Sequence, residues 1–254
     1  MIYRPALMLA CLLSMPYAVP AHADKVLRYE VVPGAGGAPM NILIRPPHVR
    51  MESRGYAMVY DANTEQTFVL DLGEQTYYRM TRERADALAD QMQAAQQQMQ
   101  QVMEHAKSVM SEEQRRQLER YMSNSGLGVM QKPPNLALRT SGRTAQVYDV
   151  DCEWVEMLMD GKTISELCIG NSADLGLSSA EQRTVERLSE LLLAMGNRFS
   201  ETSLERRPDG IPVSMHDHQN NERIRLSAVD EQPLDASLFE VPPNFKPMSL
   251  FPGQ

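Results

Sequence analysis

The stretch YAMVYDANTEQTFVLDLGEQTYYRM, Tyr56–Met80, decides the fold class. Tyr56–Asp61, Thr67–Leu72 and Gln75–Met80 each show period-two patterning, with Phe68, Leu70 and Leu72 alternating with polar or smaller residues. Between them lie ANTE and Gly73-Glu74, pieces of turn composition. Links this short join antiparallel neighbours, so the stretch reads as successive β-hairpins.

Toward the N-terminus the same pattern continues through Val26–Val32, Met40–Ile44 and Val49–Ser53, divided by PGAGGAP, RPPH and Arg54-Gly55. Leu27, Tyr29 and Val31 alternate with Arg28 and Glu30, which predicts a sheet with one face toward a core.

Toward the C-terminus the period changes. From Arg82 to Val109 the strand signal vanishes, and at 3.6 residues per turn Met92, Met99, Met103 and Met110 fall in a narrow sector flanked by Ala85, Leu88, Ala95 and Ala106. A helix of that length is about 40 Å long, longer than a small sheet is wide, so it bends or projects. Ser111 with Gln114 reads as a capping box that opens a second helix through SEEQRRQLERYM. NSGLGVMQKPPN, Asn124–Asn135, is a linker. Strand patterning returns at Thr144–Val150, followed by a hairpin around Asp160-Gly161. Ser178 with Glu181 is another capping box, opening a helix to about Phe199 whose Val185, Leu188, Leu192, Met195 and Phe199 follow spacings of three and four. Strands at Val213–His218 and Arg223–Val229, joined by Asn220-Asn221, precede the closing DASLFEVPPNFKPM. The expected fold class is therefore α+β: one antiparallel domain over residues 24–254 with a helical insertion at about 82–123.

Residues 1–23 stand apart from this pattern. Arg4, an apolar run from Ala6 to Met15 and the small-residue Ala21-His22-Ala23 site form the three-part layout of a cleaved signal peptide. A rival reading makes Cys11 an acylated cysteine, but few apolar residues precede it and Met8 stands where leucine is usual. Removal of residues 1–23 takes away Arg4 and no carboxylate, moving the net charge from -8 to -9. That acidic balance argues against a nucleic-acid partner, and no later apolar run is long enough for a transmembrane span. The expected location is the periplasm.

Export turns a cysteine pair into a disulfide expectation. In CEWVEMLMDGKTISELC, a three-residue loop Met159-Asp160-Gly161 places Cys152 directly opposite Cys168. The redox alternative needs a closer pair such as Cys-x-x-Cys, which is absent.

Three readings compete for the methionine stripe. Copper requires several sulfurs converging on one point, yet of the four only Met99 and Met103 are one turn apart. The face suits packing on the protein's own core or a lid of adaptable apolar side chains, or else a seam for a partner helix, and Leu88, Met92, Met99 and Met103 are its candidate ligand-binding residues. The seven glutamines between Gln91 and Gln101 lie mostly off the stripe, on a solvated face. His216 and His218, two apart on a strand, share a face and form a weak metal candidate; zinc needs three or four ligands, and no further Cys or His has ligand spacing. There is no Gly-x-Ser-x-Gly elbow, no His-Glu-x-x-His and no phosphate loop, so no catalytic residue and no cofactor is assigned.

The order of segments is itself informative. YAMVYDANTEQTFVLDLGEQTYYRM, GRTAQVYDV, DGKTISELCIG, GIPVSMH and LFEVPPNFK resemble the strands of an uncharacterised periplasmic domain family akin to the outer-membrane lipoprotein carrier (LolA-like) half-barrel superfamily. The resemblance covers nearly the whole mature chain. It implies a curved, unclosed antiparallel half-barrel with helices on its concave side as a lid, a shape that in carrier members shelters acyl chains. The long Met/Gln helical insertion departs from that pattern. The expected function is non-catalytic binding of a hydrophobic ligand, a lipid or lipoprotein acyl chain. The alternative is an envelope interaction or stress protein that docks a protein partner through the insertion.

Overall fold

The computed structural model of the chain describes residues 23–114, 116–117, 135–198 and 210–248. The signal segment with Cys11, most of the second helix after Ser111, nearly all of the Asn124–Asn135 linker and Phe199 lie outside the described residues.

Twelve strands form one open, mostly antiparallel sheet. In chain order they are β1 (Asp24–Val31), β2 (Met40–Arg45), β3 (His48–Ser53), β4 (Tyr56–Asp61), β5 (Gln66–Asp71), β6 (Thr76–Met80), β7 (Leu136–Val147), β8 (Val150–Met159), β9 (Lys162–Gly170), β10 (Ile211–Asp217), β11 (Glu222–Gln232) and β12 (Lys246–Pro247). Helix α1 (Arg82–Val109) follows β6, and α2 (Ser179–Arg198) follows β9. The order across the sheet is β12-β6-β5-β4-β3-β2-β1-β11-β10-β9-β8-β7. It is two meanders joined where β1 pairs with β11, from Asp24↔Gln232 to Val31↔Ile224. Only β12 is parallel to its neighbour, β6. One consequence bears on function: β6 and β7 follow one another along the chain, yet β7 is one edge of the sheet and β6 lies next to the other edge, inside the short β12.

The expectation of a single apolar face is corrected in the first meander, where both faces are buried. On β4, Ala57 and Val59 face one way and Met58 and Tyr60 the other. Val26, Leu43, Ala57, Val59 and Leu70 pack under the C-terminal segment through Leu234, Leu238, Phe239, Val241 and Phe245. Polar bonds tie that segment down: Arg45 donates to the Leu234 carbonyl at 2.8 Å, and buried Arg50 donates to the Leu238 carbonyl at 2.7 Å. The Leu234 amide donates to Asp24 at 2.8 Å. Arg50 is also paired with Glu52 at 2.5 Å, so its buried charge has a counterion.

On the opposite face, α2 lies over β2 and β3. Its capping box forms as expected, with the Ser178 amide donating to Glu181 at 2.6 Å and the Glu181 amide to the Ser178 hydroxyl at 3.4 Å. The buried face is Glu181, Thr184, Leu188 and Leu191, whereas Leu192 is exposed. That corrects the expected stripe by about one position. Leu188 and Leu191 cluster with Val49 and Tyr60, and Arg187 donates to the Ala62 carbonyl at 3.1 Å, which fixes the rotation of the helix. The Met195 side chain lies outside the described residues.

Two strand readings also change. The segment Thr144–Val150 contains a turn: Tyr148 and Asp149, at φ 52° and 58°, join β7 to β8 in the geometry of a two-residue type I′ hairpin. Strand β7 begins earlier, at Leu136, and is interrupted by a bulge at Ser141-Gly142-Arg143.

Cys152 and Cys168 are joined in a disulfide with their Cα atoms 5.4 Å apart. Their register differs from the expected one. The loop has two residues, Asp160 and Gly161 at φ 51° and 77°, and a bulge follows Met157. Cys152 therefore faces Gly170, Trp154 faces Cys168, and the disulfide links diagonal neighbours. In the chain-entropy account, closing a loop of this length stabilises the fold by about 3 kcal/mol. Urea unfolding of the C152S/C168S double variant is expected to show that loss, and an unchanged midpoint would contradict it.

Candidate functional site

Two groups of residues on this scaffold can do chemistry or bind. The first is built on adjacent strands. Glu166 on β9 lies directly opposite His216 on β10, and the His218 amide extends the pairing by donating to the Ile164 carbonyl at 2.9 Å. The period-two alternation puts both histidines on the face of Glu166. The Glu166 Oε2 atom is 3.5 Å from His216 Nδ1 and 3.1 Å from His218 Nε2, and the two imidazole centroids are 3.9 Å apart. Glu166 and His216 are largely shielded, while His218 is open to solvent.

The pairing register continues sideways from this cluster: Arg139 faces Glu156, Glu156 faces Glu166, and His216 faces Arg223. Arg143, thrown out by the β7 bulge, pairs with Glu166 Oε1, reaches Glu156 at 3.8 Å and stacks over Trp154 with 5.6 Å to the ring centroid. Arg223 Nη2 lies 3.4 Å from His216 Nε2. Burial works to raise the Glu166 carboxyl, but the Arg143 guanidinium and the histidines hold it below the ordinary carboxylate range. Burial, with Arg223 and His218 nearby, pushes the His216 imidazole below its usual value in spite of Glu166. Asp217 points away, as expected, and accepts from the Gln219 and Asn220 amides to shape the turn. The sequence reading found the two histidines but missed Glu166 and Arg143. Only the β9–β10 register supplies the first, and only the bulge supplies the second.

The second group is α1 and its root. Thr81 caps the helix, accepting from the Arg84 amide at 3.3 Å, and Ala85 is buried in its first turns. Beyond that the apolar stripe is open: Met99 is 50% exposed, Val102 58% and Val109 74%, with Met103 half-buried. The side chains of Leu88 and Met92 lie outside the described residues. The element α1 meets most is α2, not a strand. At its root is a cleft of about 290 Å³ lined by Phe68, Tyr77, Tyr78, Arg79, Arg84, Pro247 and Met248. The rings of Phe68 and Tyr77 are 6.2 Å apart, and Arg84 donates to the Arg79 carbonyl at 3.0 Å. After α1 the expected capping box forms, the Ser111 amide donating to Gln114 at 3.0 Å. Among the described residues no helix is long and apolar enough to cross a membrane.

Residues 56–245 match a family described as "Domain of unknown function (DUF4412)". No curated protein matches the chain. Among solved structures, "Structure of PNGF-II in C2 space group" is similar at 8% identity and a TM-score of 0.43, covering 90% of this chain and 31% of that one. "Structure of PNGF-II in P21 space group" gives 7% identity and a TM-score of 0.40, covering 89% and 31%. The chain thus spans about a third of the length of those proteins.

Proposed function

We propose, for a chain that belongs to the family described as "Domain of unknown function (DUF4412)", that it is an exported periplasmic protein which binds a hydrophobic ligand and performs no catalysis. The ligand is a lipid or a lipoprotein acyl chain, sheltered by the apolar stripe of α1 in the role that the lid helices have in a LolA-like half-barrel.

The observation that carries this reading is topological. β7 is one edge of an open sheet and β6 lies beside the short strand β12 at the other edge, and α1 is the first part of the chain that connects β6 to β7. We read a helix about 40 Å long in that connection as a strap for the opening. Its exposed Met99 and Val102, with half-buried Met103, then meet whatever the opening holds, and methionine side chains adapt to flexible chains of varied shape. The cleft at the root of α1 adds an aromatic wall beside Arg79 and Arg84, a setting for an acidic head group next to an apolar tail.

The exposed stripe also favours a second reading, an envelope protein that docks a partner helix on α1. The two separate on one experiment. The M99E/V102E variant places charge on residues that are already exposed, so its thermal stability is expected to stay within about 0.5 kcal/mol of the parent. Binding of a fluorescent long-chain fatty acid is expected to fall by about tenfold or more, since two apolar contacts of this size are worth about 1.5–3 kcal/mol each when fully buried. Undiminished probe binding would overturn the ligand reading.

A further inference from the structure

We propose that Glu166, His216 and His218 form a binding site for one divalent late-transition-metal ion, with Zn²⁺ as the ion that suits the donors. These three side chains each offer a ligand atom, and the atoms lie within 4.8 Å of one another. The contacts of Glu166 Oε2 with His216 Nδ1 and His218 Nε2, 3.5 and 3.1 Å, are close to the separation of ligand atoms around a tetrahedral ion bonded at about 2.0–2.1 Å. Two imidazoles and one carboxylate form a three-protein-ligand set that leaves the fourth position to water or substrate. The set is rigid where it matters, since Glu166 and His216 come from paired strands and their register fixes the approach.

The surroundings fit this use. Arg143 occupies the other carboxylate oxygen, Oε1, so Oε2 is the atom turned to the histidines and the carboxylate is oriented from behind. Arg143 is itself held by Glu156 and by stacking on Trp154. One neighbour competes: Arg223 donates toward His216 Nε2, which favours the proton on Nδ1. Coordination through Nδ1 moves that proton to Nε2, and the exposed Arg223 side chain then turns away. The site therefore contains its own opponent, and removal of Arg223 is expected to strengthen binding.

The full chain, stripped with a chelator, is titrated with Zn²⁺ by calorimetry and in competition with a chromogenic chelator. One ion per chain is expected. H218Q, chosen because His218 is the exposed member, is expected to weaken binding by about tenfold or more while leaving the thermal midpoint of the metal-free protein unchanged. R223Q is expected to bind several-fold more tightly. No saturable binding, or an affinity that both variants leave unchanged, overturns the proposal.

Discussion

Gly210→Ala is expected to destabilise the protein by about 4 kcal/mol, lowering the thermal midpoint by roughly 8–16 °C for a domain of this size. Gly210 stands immediately before β10 at φ +119°, a conformation that L residues rarely adopt. A Cβ added there would meet the Gly170 carbonyl oxygen at 2.2 Å and the Ile169 side chain at 3.0 Å. The obstacle is backbone at the end of β9, so no side chain can rotate to relieve it. Either β10 shifts or its pairing with β9 opens, and Ile211 and Val213 leave the core with it. Gly55→Ala is the control: Gly55 also has a positive φ, +80°, but nothing lies within 4 Å of its Cβ position. Its expected cost is only about 1–2 kcal/mol. Equal losses in the two variants would mean that the β9–β10 contact is not as described. Thermal unfolding of both by circular dichroism makes the comparison.

Tyr60→Ala is expected to cost about 3–5 kcal/mol. Tyr60 is 1% exposed and clusters with Val49, Leu188 and Leu191, so its ring is the floor on which α2 rests. Burial pushes its phenol up from the ordinary value, consistent with a ring taken out of water. Loss of the ring leaves a cavity between sheet and helix that neither can close, because α2 is also pinned through Arg187 to the Ala62 carbonyl. Tyr56 lies on the same strand but is 54% exposed, and Tyr56→Ala is expected to change stability by less than about 0.5 kcal/mol. A mild Tyr60→Ala in urea unfolding would show that α2 does not depend on this face. It would also remove the reason for treating the inner side of β3 and β4 as filled.

Both predictions depend on how far side-chain pattern and strand register can be separated. The pattern was legible where one local rule decides. Six strands of the first meander fall within a residue or two of their expected bounds, and α1 spans the expected Arg82–Val109, because period and Thr81 capping agree there. Both capping boxes formed for the same reason. The turn at Tyr148-Asp149 was not legible. A bulky tyrosine at φ 52° is an unusual choice for a type I′ position. The fold tolerates it while the Tyr148 hydroxyl accepts from the Val229 amide at 3.2 Å, a contact from a distant strand. The cysteine register failed similarly: spacing predicted the disulfide, but the shorter two-residue loop and the bulge after Met157, one residue each, together moved each cysteine's partner by two residues.

The candidate sites divide along the same line. His216 and His218 were visible as a pair because two residues on one strand share a face without any tertiary information. Glu166 is fifty residues away in the chain and joins them only through β9–β10 pairing. Arg143 joins through a bulge that no composition signal marks. The methionine stripe of α1 was legible as a stripe, but the way it is left open at Met99 and Val102 follows from α2 already covering β2 and β3. A helix that reads as apolar on one face by periodicity keeps Met99 and Val102 exposed, while another helix covers β2 and β3.

Native mass spectrometry of the protein purified from an envelope fraction, before and after gentle lipid extraction, tests the central claim most directly. The account predicts a discrete mass increment that extraction removes and that the M99E/V102E variant lacks. A bare chain mass under the same gentle conditions, with no increment in either sample, would contradict it.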